Sequence, residues 1–254
     1  MPEHIYHYTS IRSLACILES RRLRFTRLDR FDDVLEAQTI GRFRFGEMLF
    51  ASSWVANPLE EYPQWSMYGE AMRGVRIRLP SEPFERHEYT PLSGDVAHNT
   101  YVPLPMSEAI HERYRVIPIL SENRLLQEVT YVQDVAEVWR QHTTDDGQTF
   151  SGRDPRLLAC YKDTRWSFQA EHRFTLMITG RVPDADPREI SVPPTPGIGY
   201  IDIPLSDRAI EQMEITLGPL SAHEDAIIVG ALLEKYAPGV SMAQSALRGA
   251  VRGR

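Results

Sequence analysis

The stretch Ile5–Leu18, IYHYTSIRSLACIL, carries two hydrophobic periods back to back. From Ile5 to Ser10 residues alternate as in a strand, with Ile5, His7 and Thr9 on one face and Tyr6 and Tyr8 on the other. From Ile11 the period changes. Ile11, Leu14, Ala15 and Leu18 fall on one side of a helix, and Ser10 stands where an N-cap hydroxyl would accept a free backbone N–H. The expected start of the chain is thus a strand running directly into a helix.

Working outward, the helix is expected to end at the basic residues Arg21, Arg22 and Arg24, which suit the negative end of a helix dipole. Strands are expected at Leu23–Thr26, Met48–Val55, Gly74–Leu79, Val129–Val132, Glu171–Ile178, Gly199–Ile203 and Ile215–Gly218. Helices are expected at Trp65–Met72, Ser107–Tyr114, Asp134–Gln141 and Leu157–Tyr161. Another follows a Ser221/Glu224 capping box through Ala226, Val229, Gly230 and Leu233. Residues 80–105 and 182–199 are proline-rich and polar, and read as irregular; Thr143–Gly152 reads as a polar loop. Strands and helices interleave without a regular βαβ order, so the expected fold is α+β. It comprises one domain over residues 1–247, with mixed or antiparallel sheets and flanking helices, and residues 248–254 form a tail.

Composition bounds the function. With 28 basic against 35 acidic residues the net charge is −7, which argues against a surface coated for nucleic acid. Lys162 and Lys235 are the only lysines. No apolar run approaches the ~20 residues of a spanning helix, and the N-terminus lacks a signal-peptide pattern. Cys16 and Cys160 form no spacing motif. These features are those of a cytoplasmic protein without a membrane partner.

Four groups could carry chemistry. His7 and Thr9 project together from a strand end into a helix start, a common place for a ligand; the plainer alternative is a histidine bonded at a sheet edge. Gln169, Glu171 and Arg173 share one face if their segment is a strand, near Lys162 and Trp166. A carboxylate there is either a structural ion pair or a group held for a substrate hydroxyl. Ser52, Ser53 and Trp54, followed by Trp65 and Tyr68, either frame a flat ring or form an aromatic minicore. Phe31, Asp32, Asp33 and Glu36 make an acidic turn, a helix start or a partner for arginines. Other signals fail. His4 and His7 point to opposite strand faces, neither cysteine has a partner ligand, and Gly197–Gly199 is a bare GxG without a following helix.

The same residues resemble the bacterial family known as domain of unknown function 2971. YHYTS with Leu14 and Ile17-Leu18 is similar to the family's opening, and Phe31-Asp32-Asp33-Val34-Leu35-Glu36 to its FNDPFE turn. Phe50–Trp54 with Trp65, Tyr68 and Gly74 resembles its CFS…MW..Y…G stretch. Lys162, Trp166, Gln169, Glu171 and Arg173 follow K…W..E.E.R, Ile215–Pro219 follows I.LGP, and Ser245 matches a serine near its end. Asp32, Val34 and Gln169 depart from that pattern. A broader resemblance is to ADP-ribosyltransferases, in His7-Tyr8-Thr9, Ser53, Tyr68 and Gln169-Ala170-Glu171.

The broader resemblance implies an ADP-ribosyltransferase-like fold that uses NAD as substrate. Glu171, with Gln169, would be catalytic and would stabilise positive charge on the ribose. His7, Thr9 and Ser53 would hold the nucleotide, and Tyr68 would stack on nicotinamide. Arg173, or a basic residue after the first helix, would meet the pyrophosphate. The acceptor would be a protein or nucleic acid, and a toxin or defence role suits a free-standing transferase. Two other functions compete: a non-enzymatic nucleotide-sensing or partner-binding module of the same fold, and a hydrolase or nuclease with Asp33, Glu36 and Glu171 around a metal.

Overall fold

The computed structural model describes residues 2–90, 99–145, 150–152, 154–181 and 192–252. Its centre is a ten-stranded sheet. Strand β1 (His4–Thr9) leads into α1 (Ile11–Ser20), and the Ser10 hydroxyl accepts the Ser13 N–H at 3.0 Å. Leu14, Ile17 and Leu18 of α1 are buried, as the period predicts. The helix stops at Arg21, which is left-handed at φ 54. Arg22 and Arg24 are not helical. They begin β2 (Arg22–Arg27) and form ion pairs with Glu108 and Asp202. Strand preference in RLRFTR outweighs the attraction of cations for the helix end.

The sheet forks at β3 (Leu49–Val55). One edge of β3 pairs along its length with β7 (Glu171–Gly180), from Glu171↔Val55 to Met177↔Leu49. Its other edge meets β2 at Ala51 and Phe50 but β1 only at Val55. The two strands therefore separate beside Ser52–Trp54. Strand β4 (Val75–Pro80) pairs antiparallel with all of β1, then with β9 (Glu214–Leu217), which pairs parallel with β10 (Ser241–Gln244). The outer edge of β7 carries β5 (Tyr114–Val116) and β6 (Leu126–Glu128), and β8 (Tyr200–Pro204) covers β2.

One apolar core lies between this sheet and the helices, built from Ile5, Leu14, Phe25, Phe50, Ile77, Phe174 and Leu217, with Val229 from α4 (His223–Tyr236). Burying each of the larger side chains contributes ~1.5–3 kcal/mol. A second cluster joins Phe45, Met48, Leu49 and Trp139 of α3 (Val135–His142) beneath the acidic turn. Together these make a single α+β domain of mixed sheets and helices.

Several local expectations change. The helix expected at Trp65–Met72 is α2 (Tyr62–Met67), and Glu70, Ala71 and Met72 then turn left-handed with φ of 50, 50 and 72. This turn is clamped by two glycines. A Cβ on Gly74 would meet the Thr9 carbonyl at 2.2 Å, and one on Gly218 the Met72 carbonyl at 2.3 Å. The Gly218 N–H donates to Gly74 and the Leu220 N–H to Met72, both at 2.9 Å. Gly74→Ala is therefore expected to lower stability by ~1–3 kcal/mol through forced backbone movement, read as a lower denaturant midpoint with unchanged slope.

The Ser221/Glu224 box is displaced by one residue, because Asp225 accepts the Ala222 N–H at 2.8 Å. The helix expected at Ser107–Tyr114 is shortened to Met106–Ala109, since Tyr114 belongs to β5. The Leu157–Tyr161 segment is a 3-10 turn over Pro155–Cys160. Short strands form at Thr143–Asp145 and Phe150–Gly152, within the stretch expected to be a polar loop, whose residues 146–149 lie outside the described residues. Strands also form at His87–Glu88 and Thr100–Val102, within a stretch expected to be irregular. Residues 91–98 and 182–191 of the two irregular stretches lie outside the described residues, as do the last two of the expected tail.

Candidate functional site

The fork opens a hollow of about 350 Å³, lined among others by His7, Ser53, Tyr68, Gln169 and Glu171. It falls within the size range of small-molecule sites. His7 reaches from β1 to β3 where the strands separate, its Nδ1 2.9 Å from the Ser53 carbonyl, and its ring leans on Trp54 at 5.0 Å. Burial pushes its pKa below the usual histidine range, although the Ser53 carbonyl raises it. The imidazole is therefore neutral near pH 7, with Nδ1 as donor and Nε2 as acceptor.

Glu171 starts β7 at the base of the hollow. Gln169 does not share its strand. It ends a 3-10 turn, Thr164–Gln169, and Ala170 is left-handed at φ 43 before the strand begins. The two side chains still converge, through Lys162. Its ammonium lies 2.7 Å from Gln169 Oε1 and 3.1 Å from Glu171 Oε2, and 5.0 Å from the centre of the Trp166 ring. The Gln169 amide also donates to the Tyr68 phenol oxygen at 2.6 Å. A phenol that accepts this bond keeps its own proton for the hollow. Burial, then the charges of Asp32 and Glu171, push the Tyr68 pKa up to about 12, so the proton stays.

Arg173 has a different place from that expected. It is 0% exposed. Its guanidinium donates to Glu171 at 2.6 and 3.0 Å, to the Ala159 carbonyl at 2.7 Å and to Glu36, with Phe31 over its face. A pyrophosphate cannot reach it. Glu36 also pairs with Lys162 at 3.3 Å. Glu36, Lys162, Glu171 and Arg173 thus form a buried cluster of two carboxylates and two cations, each side chain at most 6% exposed. Burial alone would raise the Glu171 pKa, but Arg173, Lys162 and Ser53 together hold it at about 2.

The acidic turn serves as both helix start and arginine partner. Asp33 caps a 3-10 turn, Val34–Glu36, by accepting the Leu35 N–H at 3.0 Å, and that turn delivers Glu36 to Arg173. The carboxylates of the metal alternative have other partners: Glu36 and Glu171 pair with Arg173 and Lys162, and Asp33 caps the turn. Among the described residues, no group of three or more His, Cys, Asp or Glu side chains is arranged to hold a metal.

Thr9 is buried and lines a second hollow of about 370 Å³, not the first. The two hollows share His7, Thr26, Phe31 and Ser53. Trp65 lies outside both. It is buried against Tyr8 and donates to Glu60, which Ser245 also holds, so it belongs to the aromatic minicore. Burial pushes the Cys160 thiol up to about 12, which makes it a poor nucleophile.

Sequence reasoning did not find Gln64, whose amide donates to the Gln169 carbonyl at 3.0 Å. Asp32 of the acidic turn and Arg30, one of the basic residues after the first helix, also line the first hollow. Arg30 has no hydrogen bond or ion pair among the described residues. Likewise, among the described residues no helix is long and apolar enough to cross a membrane.

Compared with models of known protein families, with curated proteins and with solved structures, the chain matches none.

Proposed function

We propose that the protein is an ADP-ribosyltransferase that cleaves NAD and passes ADP-ribose to a macromolecular acceptor. One observation carries this reading: His7, Ser53, Tyr68, Gln169 and Glu171, distant in sequence, line one hollow. They are the residues singled out by resemblance to ADP-ribosyltransferases and, more narrowly, to domain of unknown function 2971. The adjoining hollow with Thr9 supplies room for the second half of a dinucleotide.

In this reading nicotinamide leaves C1′ of the ribose with the bonding electron pair, and positive charge develops on the sugar. Glu171, ionised and immobilised, faces that charge; one such preorganised group is worth ~3 kcal/mol. Tyr68 offers its ring face to nicotinamide, and His7 and Ser53 hold ribose hydroxyls. Arg30 takes the pyrophosphate role that Arg173 cannot fill.

The test is to supply NAD with a cell lysate and follow nicotinamide release and label transfer. If neither occurs, the transferase reading falls. A second reading, a nucleotide-sensing module, is favoured by the engagement of both Glu171 oxygens with cations. It predicts that NAD raises Tm without turnover. In the transferase reading Tyr68→Phe keeps the stacking face and costs less than tenfold in kcat/KM. Tyr68→Ala removes that face and costs ~10-fold or more, since a stacked aromatic pair contributes ~0.5–1.5 kcal/mol beyond its buried area.

A further inference from the structure

We infer that Asp32 is the acid–base residue that serves the acceptor, and that this acceptor is a cationic N–H group such as a guanidinium. This rests on the transferase reading. It concerns the other half of the reaction, the deprotonation of the incoming nucleophile.

The other candidates for taking a proton at the first hollow are spoken for. Glu171 is compensated by Arg173 and Lys162, and the Gln169 amide spends both ends on Lys162 and Tyr68. His7 lies below the mouth, tied to the Ser53 carbonyl. Asp32 differs in every respect. It lines the hollow, is solvent-exposed, and has no hydrogen bond or ion pair among the described residues. Asp32 and Tyr68 line the same hollow, and the Asp32 carboxylate is among the charges that raise the Tyr68 pKa. It is also held in place. The residues after it form the Asp33-capped turn whose far end, Glu36, is bonded to buried Arg173. A reacting group on so anchored a turn is positioned before substrate arrives.

Charge selects the acceptor. The charged side chains lining the hollow are Arg30 and Lys162 against Asp32 and Glu171, which balance. A bound dinucleotide brings two phosphate charges and one pyridinium, and Arg30 answers only one phosphate. The filled hollow is therefore negative, with Asp32 as its open carboxylate. A planar guanidinium matches a carboxylate by paired charge-assisted hydrogen bonds. In the step, the acceptor N–H gives its proton to Asp32 while its nitrogen bonds to C1′. The C1′–N bond to nicotinamide breaks with its electron pair, neutral nicotinamide leaves, and Asp32 later releases the proton to water.

The experiment uses the full chain, NAD and agmatine as a guanidine probe, following nicotinamide and ADP-ribosylagmatine. Wild type is expected to release nicotinamide faster with agmatine, and Asp32→Asn to lose ~10²-fold or more of that agmatine-dependent rate. Asp32→Glu, which keeps the carboxylate, should recover part of it. Transfer by Asp32→Asn within twofold of wild type overturns the inference, as does modification of hydroxyls or RNA but not agmatine. If wild type releases no nicotinamide at all, the transferase reading fails separately. Direct titration of agmatine then still decides recognition: about tenfold weaker binding to Asp32→Asn supports the role of Asp32, and equal binding overturns it.

Discussion

Glu171→Gln is expected to lower kcat/KM for NAD cleavage by ~10²–10³-fold, the cost of removing one preorganised charge stabiliser. The amide keeps the shape of the carboxylate but leaves Arg173 and Lys162 facing Glu36 alone. The variant should therefore also lose stability, and binding must be measured beside rate. NAD should still raise its Tm, because His7, Ser53 and Tyr68 are unchanged.

The same substitution has a pH signature. The Glu171 pKa is about 2 in the folded chain against an ordinary value of 4.5. A depressed carboxylate stabilises the fold fully above its unfolded pKa. That stabilisation is lost as pH falls from about 4.5 toward 2, and its size is on the order of 3 kcal/mol. Wild type should lose stability over that window, and Glu171→Gln should show a flatter acid limb. Parallel acid limbs in denaturant titrations would refute the ionised, compensated carboxylate.

Arg173→Met is the substitution with the largest structural effect. Methionine fills a similar volume without charge and leaves Glu36 and Glu171 buried with only Lys162 between them. Breaking a buried pair from one side costs ~3–5 kcal/mol, a large fraction of a domain's stability. The expected result is a markedly lower denaturant midpoint, or failure to fold. Arg173→Lys should cost less but not nothing, since an ammonium cannot reproduce the fork to Glu171 together with the bonds to Glu36 and Ala159. Arg173→Met combined with Glu36→Gln should recover part of the loss. If the double variant is no more stable than the single, the cluster does not work as a charge-balanced unit.

Much of the fold was legible where one segment carries its own signal. Ser10 caps α1 because a hydroxyl at that position meets the Ser13 N–H whatever lies elsewhere. Strand β4 follows the alternation of VRIRLP, with Val75, Ile77 and Leu79 buried. Trp65–Met72 misled because its helical spacing continues past the last helical residue, and close approaches at Gly74 and Gly218 decide the turn. Gln169 and Glu171 were paired for the wrong local reason: the spacing suggested a shared strand face, whereas a 3-10 turn and left-handed Ala170 bring them to the same ammonium.

The sequence by itself determined the α+β class, most strands, the first cap and the short set of residues from which a site is built. It could not say which of them face a ligand. Arg173 shows why. Strand periodicity placed it beside Glu171, but its fate depends on Glu36, 137 residues earlier, and on the 3-10 turn that carries Ala159. Periods and caps are set by neighbours along the chain. The burial of a charge is set by whatever the chain folds over it, and here that cover encloses Arg173 while leaving Arg30 and Asp32 open at the hollow.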